Sequence, residues 1–266
     1  MAKVRLDVLL VERGLAESRA KAQAMIMAGQ VRVAGQTALR PATAISADSV
    51  LTVDSGPRFV SRGGEKLEAA LEAFAVDVNG LTCADVGSST GGFTDCLLQR
   101  GAARVYAIDV GKGILHWKLR NDPRVVVMEE TNARFVESLS ERVELATIDA
   151  SFISLKVLLP VVKKWLFMKG EGRVEQGVGI IALVKPQFEA GKRDVSRGDG
   201  VIRDPEIHRK VLNDVLTYAQ QEGFGIRGLI KSPLLGPKGN AEFLAWLGDQ
   251  DTDMELIALV DHVLKG

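Results

Sequence analysis

The chain has 266 residues, of which 46% are apolar and 26% are charged, so it can bury a sizeable core in one or two domains. This composition excludes disordered and collagen-like classes. A membrane span needs roughly 18 consecutive apolar residues, but the most apolar segment, 155–168, is interrupted by Lys156, Pro160, Lys163 and Lys164. The charged first residues do not fit a signal peptide, so we expect a protein of the cytosol with no membrane partner.

Charge is unevenly distributed although Lys and Arg together equal Asp and Glu at 34 each. Residues 1–66 contain ten Lys and Arg against six Asp and Glu, and the remainder is correspondingly acidic. A basic segment before a neutral-to-acidic body is typical of an attachment module for a polyanion. A solvated surface without a function gives the same count.

The cysteines and histidines do not form a metal-binding pattern. Cys83 and Cys96 make no Cys-x-x-Cys pair and have no histidine nearby in sequence, which predicts neither a disulfide framework nor a zinc site. His116, His208 and His262 lie far apart in unlike contexts, and we interpret them as surface or packing residues. No metal is expected.

Residues 1–57 are predicted to form a small α+β unit. Leucines at helical spacing and glycines that can end a helix indicate two helices, and alternating apolar residues indicate two short strands. In chain order these are a helix from Leu6 that ends before Gly14, a helix over 19–28 capped by Ser18, and strands at 31–33 and 49–53.

A basic cluster in this unit could contact the phosphates of RNA. The segments 5–22 (RLDVLLVERGLAESRAKA) and 29–33 (GQVRV) resemble the RNA-binding domain shared by ribosomal small-subunit protein four and many RNA-modifying enzymes. The resemblance implies that the second helix and the following strand meet structured RNA. The basic residues of the cluster are Arg5, Arg13, Arg19, Lys21 and Arg32, and Arg62 at the start of the next region is added as an RNA-binding candidate.

After a linker at 58–61, residues 62–266 are predicted to form an α/β domain. Strands that alternate with helices predict a doubly wound, Rossmann-like sheet of mostly parallel strands, with one late antiparallel strand. The predicted strands are 81–86, 104–109, 124–129, 143–149, 178–184, 225–230 and 242–247, and the helices are one around 67–74, then 93–100, 155–167 and one that Asp204 caps and that runs to 221.

The segment 85–93 (DVGSSTGGF) lies between the first strand and first helix of this pattern. Its glycines permit positive φ and allow a ligand to lie on the backbone, although a simple tight turn would also use them. Asp109 ends the next strand, where a carboxylate can accept both hydroxyls of a ribose. The spacing is not that of a dinucleotide site or a P-loop, so we predict an S-adenosylmethionine pocket. Its candidate residues are Asp85, Gly87, Ser88, Ser89, Thr90, Gly91, Gly92, Phe93 and Asp109, with Glu130, Thr131 and Asn132 flanking the adenine.

Four further charged residues are each predicted at the end of an element: Lys66, Asp149, Lys185 and Glu242. Taken singly, each can be an ordinary surface lysine, cap or salt-bridge partner, and spacing alone does not connect them. Asp149 and Lys185 follow two strands at the edge where open α/β sheets bind their ligands.

A resemblance to a known family connects the four. The segments 61–67 (SRGGEKL), 85–95 (DVGSSTGGFTD), 149–155 (DASFISL), 183–188 (LVKPQF) and 239–244 (GNAEFL) are similar to those of the TlyA, or hemolysin A-like, ribosomal RNA 2′-O-methyltransferases. This family joins the small RNA-binding domain to a methyltransferase domain like that of FtsJ. The resemblance implies a catalytic tetrad of Lys66, Asp149, Lys185 and Glu242, S-adenosylmethionine as cofactor, and the cytidine ribose of ribosomal RNA or ribosomal subunits as substrate.

Methyl transfer to a ribose needs alignment of the hydroxyl with the methyl group and removal of a weakly acidic proton. Lys185 is the candidate for that work, either as a free amine base or as an ammonium that stabilises the developing alkoxide. The glycine-rich, charged segment 189–203 is either an ordinary connection or a lid that RNA orders. Trp117 is either a core residue or a wall of the adenine pocket, and Trp165 and Trp246 are expected in the core.

Three rival interpretations remain open at this point. A cell-lysing protein would fit the hemolysin name of the family but lacks a membrane-competent stretch. An RNA-binding protein with a vestigial methyltransferase fold would not need the cofactor and tetrad residues that the chain retains. A small-molecule O-methyltransferase would not need a basic N-terminal unit.

Overall fold

The computed structural model describes residues 3–54, 56–167, 179–191, 200–249 and 254–265. The chain divides into two compact units, residues 1–58 and 59–266. Phe59 is buried in the core of the larger unit, where its ring packs against Gly64. The backbone N–H of Val60 donates to Asp95 of the same unit. Three of the four residues predicted as a linker are therefore integral to the larger unit.

The described residues of the smaller unit form two helices and five short strands around one apolar core. Strand β1 (Lys3–Arg5) pairs antiparallel with β4 (Ala44–Ser46), and β2 (Val31–Val33) lies between β3 (Gln36–Thr37) and β5 (Leu51–Val53). The helices are α1 (Leu6–Glu12) and α2 (Arg19–Met27). As predicted, the Ser18 hydroxyl caps α2 by accepting from the backbone N–H of Lys21. Leu6, Leu10, Ala22 and Ile26 of the two helices meet in the core.

The larger unit is built on a seven-stranded sheet in the order β11, β12, β10, β9, β6, β7, β8. All strands are parallel except β12, which runs antiparallel to both neighbours, so the predicted α/β class is confirmed. The strands are β6 (Thr82–Val86), β7 (Arg104–Ile108), β8 (Val125–Met128), β9 (Leu145–Ile148), β10 (Gly179–Val184), β11 (Gly225–Lys231) and β12 (Phe243–Gly248).

Helices cover both faces of this sheet because its strands bury alternate residues on opposite sides. On β6, Ala84 and Val86 face one apolar core, and Cys83 faces the other. In the described ranges of this unit the helices are α3 (Gly63–Ala73), α4 (Gly92–Gln99), α5 (Trp117–Arg120), α6 (Leu155–Lys163), α7 (Pro186–Glu189), α8 (Pro205–Gln221) and α9 (Leu256–Lys265).

The structure differs from the predicted elements at several places. Helix α6 ends at Lys163, four residues before the predicted end, and strand β5 begins at Leu51 rather than at 49. Strands β1, β3 and β4 and helices α5, α7 and α9 were not predicted. The strands contain two or three residues and α5 and α7 one turn each, too few for a periodic pattern to emerge. Within the described ranges no helix combines the length and the apolar character that a bilayer span requires.

Candidate active site

The carboxyl ends of β6, β7, β9 and β10 meet at one edge of the sheet, and the predicted cofactor turn leaves β6 there. Gly87 has φ +82°, and a Cβ at this position would lie 2.7 Å from the backbone oxygen of Asp149. Only glycine allows the turn to pass so close to β9. The N–H groups of Gly87 and Ser88 donate to the carbonyl of Ile108, which holds the turn against β7.

Asp109 follows β7 and faces this turn. Its Oδ2 accepts from the backbone N–H of Ser89 at 2.8 Å, and its Oδ1 accepts from that of Gly111 at 2.7 Å. Each carboxylate oxygen has a second lone pair, so the oriented carboxylate can still accept from the hydroxyls of a ribose.

Asp109 lines a cavity of about 490 Å³, which we call the nucleoside cavity. The predicted residues Gly87, Ser89, Thr131 and Asn132 also line it, but Glu130 does not. Glu130 is exposed and pairs with Lys112 at 3.2 Å, so the structure separates it from the predicted adenine contacts. Further lining residues that the sequence did not single out are Val86, Ile108, Val110, Ile114, Ala133, Arg134, Ala150, Ser151, Phe152, Ile153 and Leu158.

The four predicted catalytic residues all line a second cavity, of about 360 Å³, which we call the transfer cavity. They form two ion pairs: Lys66 Nζ lies 2.5 Å from Glu242 Oε2, and Lys185 Nζ lies 2.6 Å from Asp149 Oδ1. Lys185 Nζ also donates to Ser151 Oγ at 3.0 Å. Each lysine therefore has its own carboxylate.

The two cavities share a wall. Gly87, Ser89 and Asp149 line both of them, so the end of β9 and the glycine turn separate a nucleoside-sized space from the ion pairs. Of the other predicted cofactor residues, Ser88, Thr90, Gly92 and Phe93 line the transfer cavity. Gly91 lines neither cavity, and its φ of +96° places it against Leu115 and Leu119.

Asp85 lies beneath the turn and lines neither cavity. It is fully buried and accepts from the hydroxyls of Thr94 at 2.7 Å and Thr147 at 3.1 Å. Burial without a cationic partner raises the pKa of Asp85 to about 7, against the opposing effect of the Thr94 hydrogen bond. Asp85 therefore supports the turn from below, and it is separated from both cavities.

Two buried polar atoms of the transfer cavity have no hydrogen-bond partner among the described residues: Ser88 Oγ and Glu242 Oε1. Buried polar atoms normally find a partner, so these two are suited to a polar ligand. A sulfonium nucleoside with an amino acid tail fits this arrangement. Its ribose can bind Asp109, its positive sulfonium can lie near the carboxylate of Asp149, and the polar atoms of its tail can bind the glycine turn. The polar groups of the two cavities thus suit S-adenosylmethionine.

Sequence reasoning missed residues in each of the two cavities, among them Phe152 of the nucleoside cavity. Phe152 is 89% exposed with φ +62°, and its ring centroid lies 4.9 Å from that of Phe188, which neighbours Lys185. Phe152 stands three residues after Asp149, yet sequence alone does not distinguish an exposed Phe from a core one. The segment Leu234–Pro237 lines the transfer cavity, and Gly236 abuts Glu242 so closely that a Cβ would clash. No sequence pattern marks that contact.

The tryptophans and histidines lie outside both cavities. Trp165 and Trp246 are buried as expected, but Trp117 is 71% exposed and belongs to neither the core nor a cavity wall. His208 is buried against Phe243. Cys83 and Cys96 are buried, and neither forms a disulfide with another described residue. Across the described ranges no group of three or more His, Cys, Asp or Glu side chains could hold a metal ion.

The predicted RNA-binding residues are divided between the two units. In the smaller unit Lys21 and Arg32 are exposed, while Arg5 and Arg19 both bind the buried Asp7. Arg62 is exposed and lines the transfer cavity of the larger unit. The middle of the predicted lid, 192–199, lies outside the described residues.

Comparison with known proteins agrees with this architecture. A family of FtsJ-like methyltransferases matches residues 59–249, and the S4 domain family matches residues 4–51. The chain is 49% identical to the 16S/23S rRNA (cytidine-2′-O)-methyltransferase TlyA of Mycobacterium tuberculosis, across 96% of this chain and 93% of that protein. It is also 49% identical to YqxC of Bacillus subtilis, described as a candidate rRNA methyltransferase, across 96% and 90% of the two chains.

Solved structures show the same fold. A protein of Streptococcus thermophilus described as a candidate hemolysin matches 100% of this chain and 97% of its own at 41% identity, with a TM-score of 0.71. A candidate S-adenosylmethionine-dependent methyltransferase of Listeria monocytogenes covers 72% of this chain at 17% identity and a TM-score of 0.51, which shows likeness of fold alone. The chain therefore belongs to the FtsJ-like methyltransferases, within the TlyA group that carries an S4 domain before the methyltransferase domain.

Proposed function

We propose that the chain transfers a methyl group from S-adenosylmethionine to the ribose 2′-hydroxyl of a cytidine in ribosomal RNA. The observation that carries this proposal is the meeting of Lys66, Asp149, Lys185 and Glu242 in the transfer cavity, which shares Gly87 and Asp149 with the nucleoside cavity. The names of the M. tuberculosis and B. subtilis relatives support ribosomal RNA as the substrate.

S-adenosylmethionine, when bound, supplies the methyl group as a sulfonium that needs no metal for the displacement. We infer that Asp109 accepts hydrogen bonds from its ribose hydroxyls and that Thr131 and Asn132 lie beside its adenine. The glycine turn would present its backbone and the unpartnered Ser88 hydroxyl to the amino acid tail. Asp149 stands at the boundary of the two cavities, where a carboxylate favours the positive sulfonium.

Lys185 is best placed to assist the acceptor hydroxyl. Asp149 and Ser151 hold its Nζ at 2.6 and 3.0 Å, and only 9% of its side chain is exposed. The 2′-oxygen would attack the methyl carbon in line as the carbon–sulfur bond breaks, and its proton would leave towards Lys185. As a free amine Lys185 accepts that proton; as an ammonium it stabilises the alkoxide while the proton passes to solvent.

Lys66 and Glu242 would position the acceptor ribose. Lys66 has 12% of its side chain exposed and its ammonium is held by Glu242. The free Oε1 of Glu242 can accept a hydrogen bond from a ribose hydroxyl. The smaller unit would bind the RNA backbone through Arg5, Arg19, Lys21 and Arg32, and Arg62 would contact the strand at the cavity. We infer a cytoplasmic location for this activity, which a ribosomal RNA or ribosomal subunit as partner supports.

The test uses ribosomal subunits and deproteinised rRNA from cells that lack this protein. Incubation with the purified chain and methyl-labelled S-adenosylmethionine should label an rRNA cytidine, and the ribose 2′-oxygen should carry the methyl group. Label on a base nitrogen or carbon, or on a small molecule only, would contradict the proposal. A chain that binds rRNA and transfers no methyl group would be the non-catalytic RNA-binding protein that the sequence also allowed.

A further inference from the structure

The smaller unit buries a carboxylate among basic residues. Asp7 has no exposed surface, and three side chains donate to it. Arg5 donates through Nε to Oδ1 at 3.0 Å and through Nη2 to Oδ2 at 2.9 Å. Arg19 Nε and Gln23 Nε2 also donate to Oδ2, at 3.0 and 2.8 Å. The hydrogen bonds from Arg5 hold the pKa of Asp7 well below its usual range, so the carboxylate is ionised at neutral pH.

Asp7 brings two arginines together at the surface. Arg5 Nη2 and Arg19 Nε contact the same carboxylate oxygen, so these nitrogens lie within about 6 Å of each other, where unscreened like charges repel. The side chains of Arg5 and Arg19 are still 44% and 56% exposed. Arg5 Nη1 and both Nη groups of Arg19 have no protein partner in the described part of the chain and remain available to an anion.

Stability alone does not explain this arrangement. A buried carboxylate that pairs with arginines rarely makes a protein more stable than apolar residues in the same place would, because desolvation of the charge opposes the attraction. Here the carboxylate is hidden but its partners are half exposed, so its effect is exerted at the surface. Two guanidinium groups held in fixed orientation match the geometry of phosphate oxygens. Their side-chain conformational entropy is already lost on folding, so RNA binding does not have to offset it.

We propose that Asp7 is a positioning residue that holds Arg5 and Arg19 as a preformed clamp for the phosphates of structured RNA. This inference rests on the proposed function, because it deepens the role of the smaller unit in rRNA binding. It predicts an effect opposite in sign to simple electrostatics: removing a negative charge beside two arginines should weaken RNA binding.

The test compares two charge-neutralising variants of the full chain, Asp7→Asn and Glu12→Gln. Both raise the net charge by one, but Glu12 is exposed and stands outside the clamp. We expect Asp7→Asn to raise the Kd for labelled 16S and 23S rRNA transcripts at least about fivefold. Glu12→Gln should leave the Kd within about twofold or lower it. Tighter binding by both variants would overturn the proposal.

Salt dependence separates lost positioning from lost folding. Asp7→Asn retains both arginines, so the slope of log Kd against log salt should change by less than about 0.9, the value of one duplex phosphate contact. Unfolding of the smaller unit would make the slope much shallower, and a second pair of variants then tests the clamp.

Arg19→Lys keeps the charge beside Asp7 but loses the planar fork, and should weaken RNA binding about threefold or more. Arg40→Lys, at an exposed arginine with no side-chain partner in the described ranges, should stay within about twofold.

Equal affinities for the two lysine variants would overturn the clamp. The unaltered chain distinguishes this failure from failure of the proposed function. If the unaltered chain methylates rRNA while Asp7→Asn binds as tightly as it does, only the clamp is wrong. If the unaltered chain transfers no methyl group to rRNA, the proposed function is wrong whatever the variants do.

Discussion

The carboxylate of Glu189 accepts a hydrogen bond of 2.6 Å from the hydroxyl of Ser154, and so joins the short helix α7, which follows β10, to the loop after β9. Its other oxygen accepts from the backbone N–H of Leu155 at 2.7 Å, at the start of α6. The same two segments carry Lys185 and Asp149. The ion pair of the transfer cavity is therefore supported by a second connection several residues away.

The first prediction concerns this connection. Glu189→Ala should lower kcat about tenfold, because α7 and the loop after β9 could then separate and Lys185 would lose its alignment. The Kd for S-adenosylmethionine should change little. Glu189→Gln should retain most of the activity, since an amide can still accept from Leu155 and donate to Ser154. Single-turnover methylation and calorimetric titration measure the two quantities.

Asp204→Ala is the matched control for Glu189→Ala. Asp204 caps α8 by accepting from the backbone N–H of Glu206 at 2.9 Å, and lines neither cavity. Loss of this cap should lower the free energy of unfolding by about 1 kcal/mol, similar to the loss expected for Glu189→Ala, without an effect on kcat. If both variants lowered kcat equally, Glu189 would act only through stability.

The second prediction places Lys185 at the chemical step. Lys185→Ala should reduce the single-turnover methylation rate at least about 100-fold, the scale of a lost proton acceptor or charge stabiliser, with cofactor and RNA affinity within a few fold. Lys185→Arg should not restore the rate if the lysine acts as a base, because a guanidinium does not release its proton near neutral pH. Lys112→Ala, at an exposed lysine outside both cavities, should be silent. Near-normal turnover by Lys185→Ala would remove this residue from the mechanism.

The third prediction separates two acidic residues that follow neighbouring strands. Asp109→Ala should weaken S-adenosylmethionine binding about tenfold or more, because it removes a charged acceptor from the nucleoside cavity. Glu130→Ala should leave the Kd unchanged, since Glu130 points away and pairs with Lys112. Calorimetric titration with S-adenosylmethionine, its demethylated product and NAD measures all three affinities. Tight NAD binding, or equal effects of the two variants, would contradict this assignment of the cavity.

The fourth prediction follows from the buried Asp85. Its pKa is raised from 3.8 to about 7, mainly by burial, so the folded state favours the neutral carboxyl. The stability that this preference contributes is fully present at low pH and is lost as pH rises from about 4 to about 7. The free energy of unfolding of the unaltered chain, minus that of Asp85→Asn, should fall over this range by no more than about 4 kcal/mol. Denaturant unfolding at several pH values measures it, and a difference that rises with pH would show that Asp85 is ionised in the fold.

Local patterns of the sequence determined much of this protein. The alternation of strands and helices, the caps Ser18 and Asp204 and the glycine turn with Asp109 were readable because each depends on residues close together in the chain. Periodicity also placed the sheet strands to within one or two residues. The resemblance to the TlyA family named the four charged residues but did not show how they pair.

Only the tertiary structure decided which distant residues meet. Lys66 and Glu242 are 176 positions apart, and they pair because β12 inserts between β10 and β11 and brings Glu242 to the ligand edge of the sheet. Packing across the domain likewise decided that Asp7 binds Arg19 and that Glu189 binds Ser154. It also decided that Glu130 and Trp117, both considered as adenine contacts from the sequence, lie outside the cavities. Local spacing fixes the direction of a side chain along its own element, whereas the order of strands in the sheet fixes its neighbours, and that order depends on packing across the whole domain.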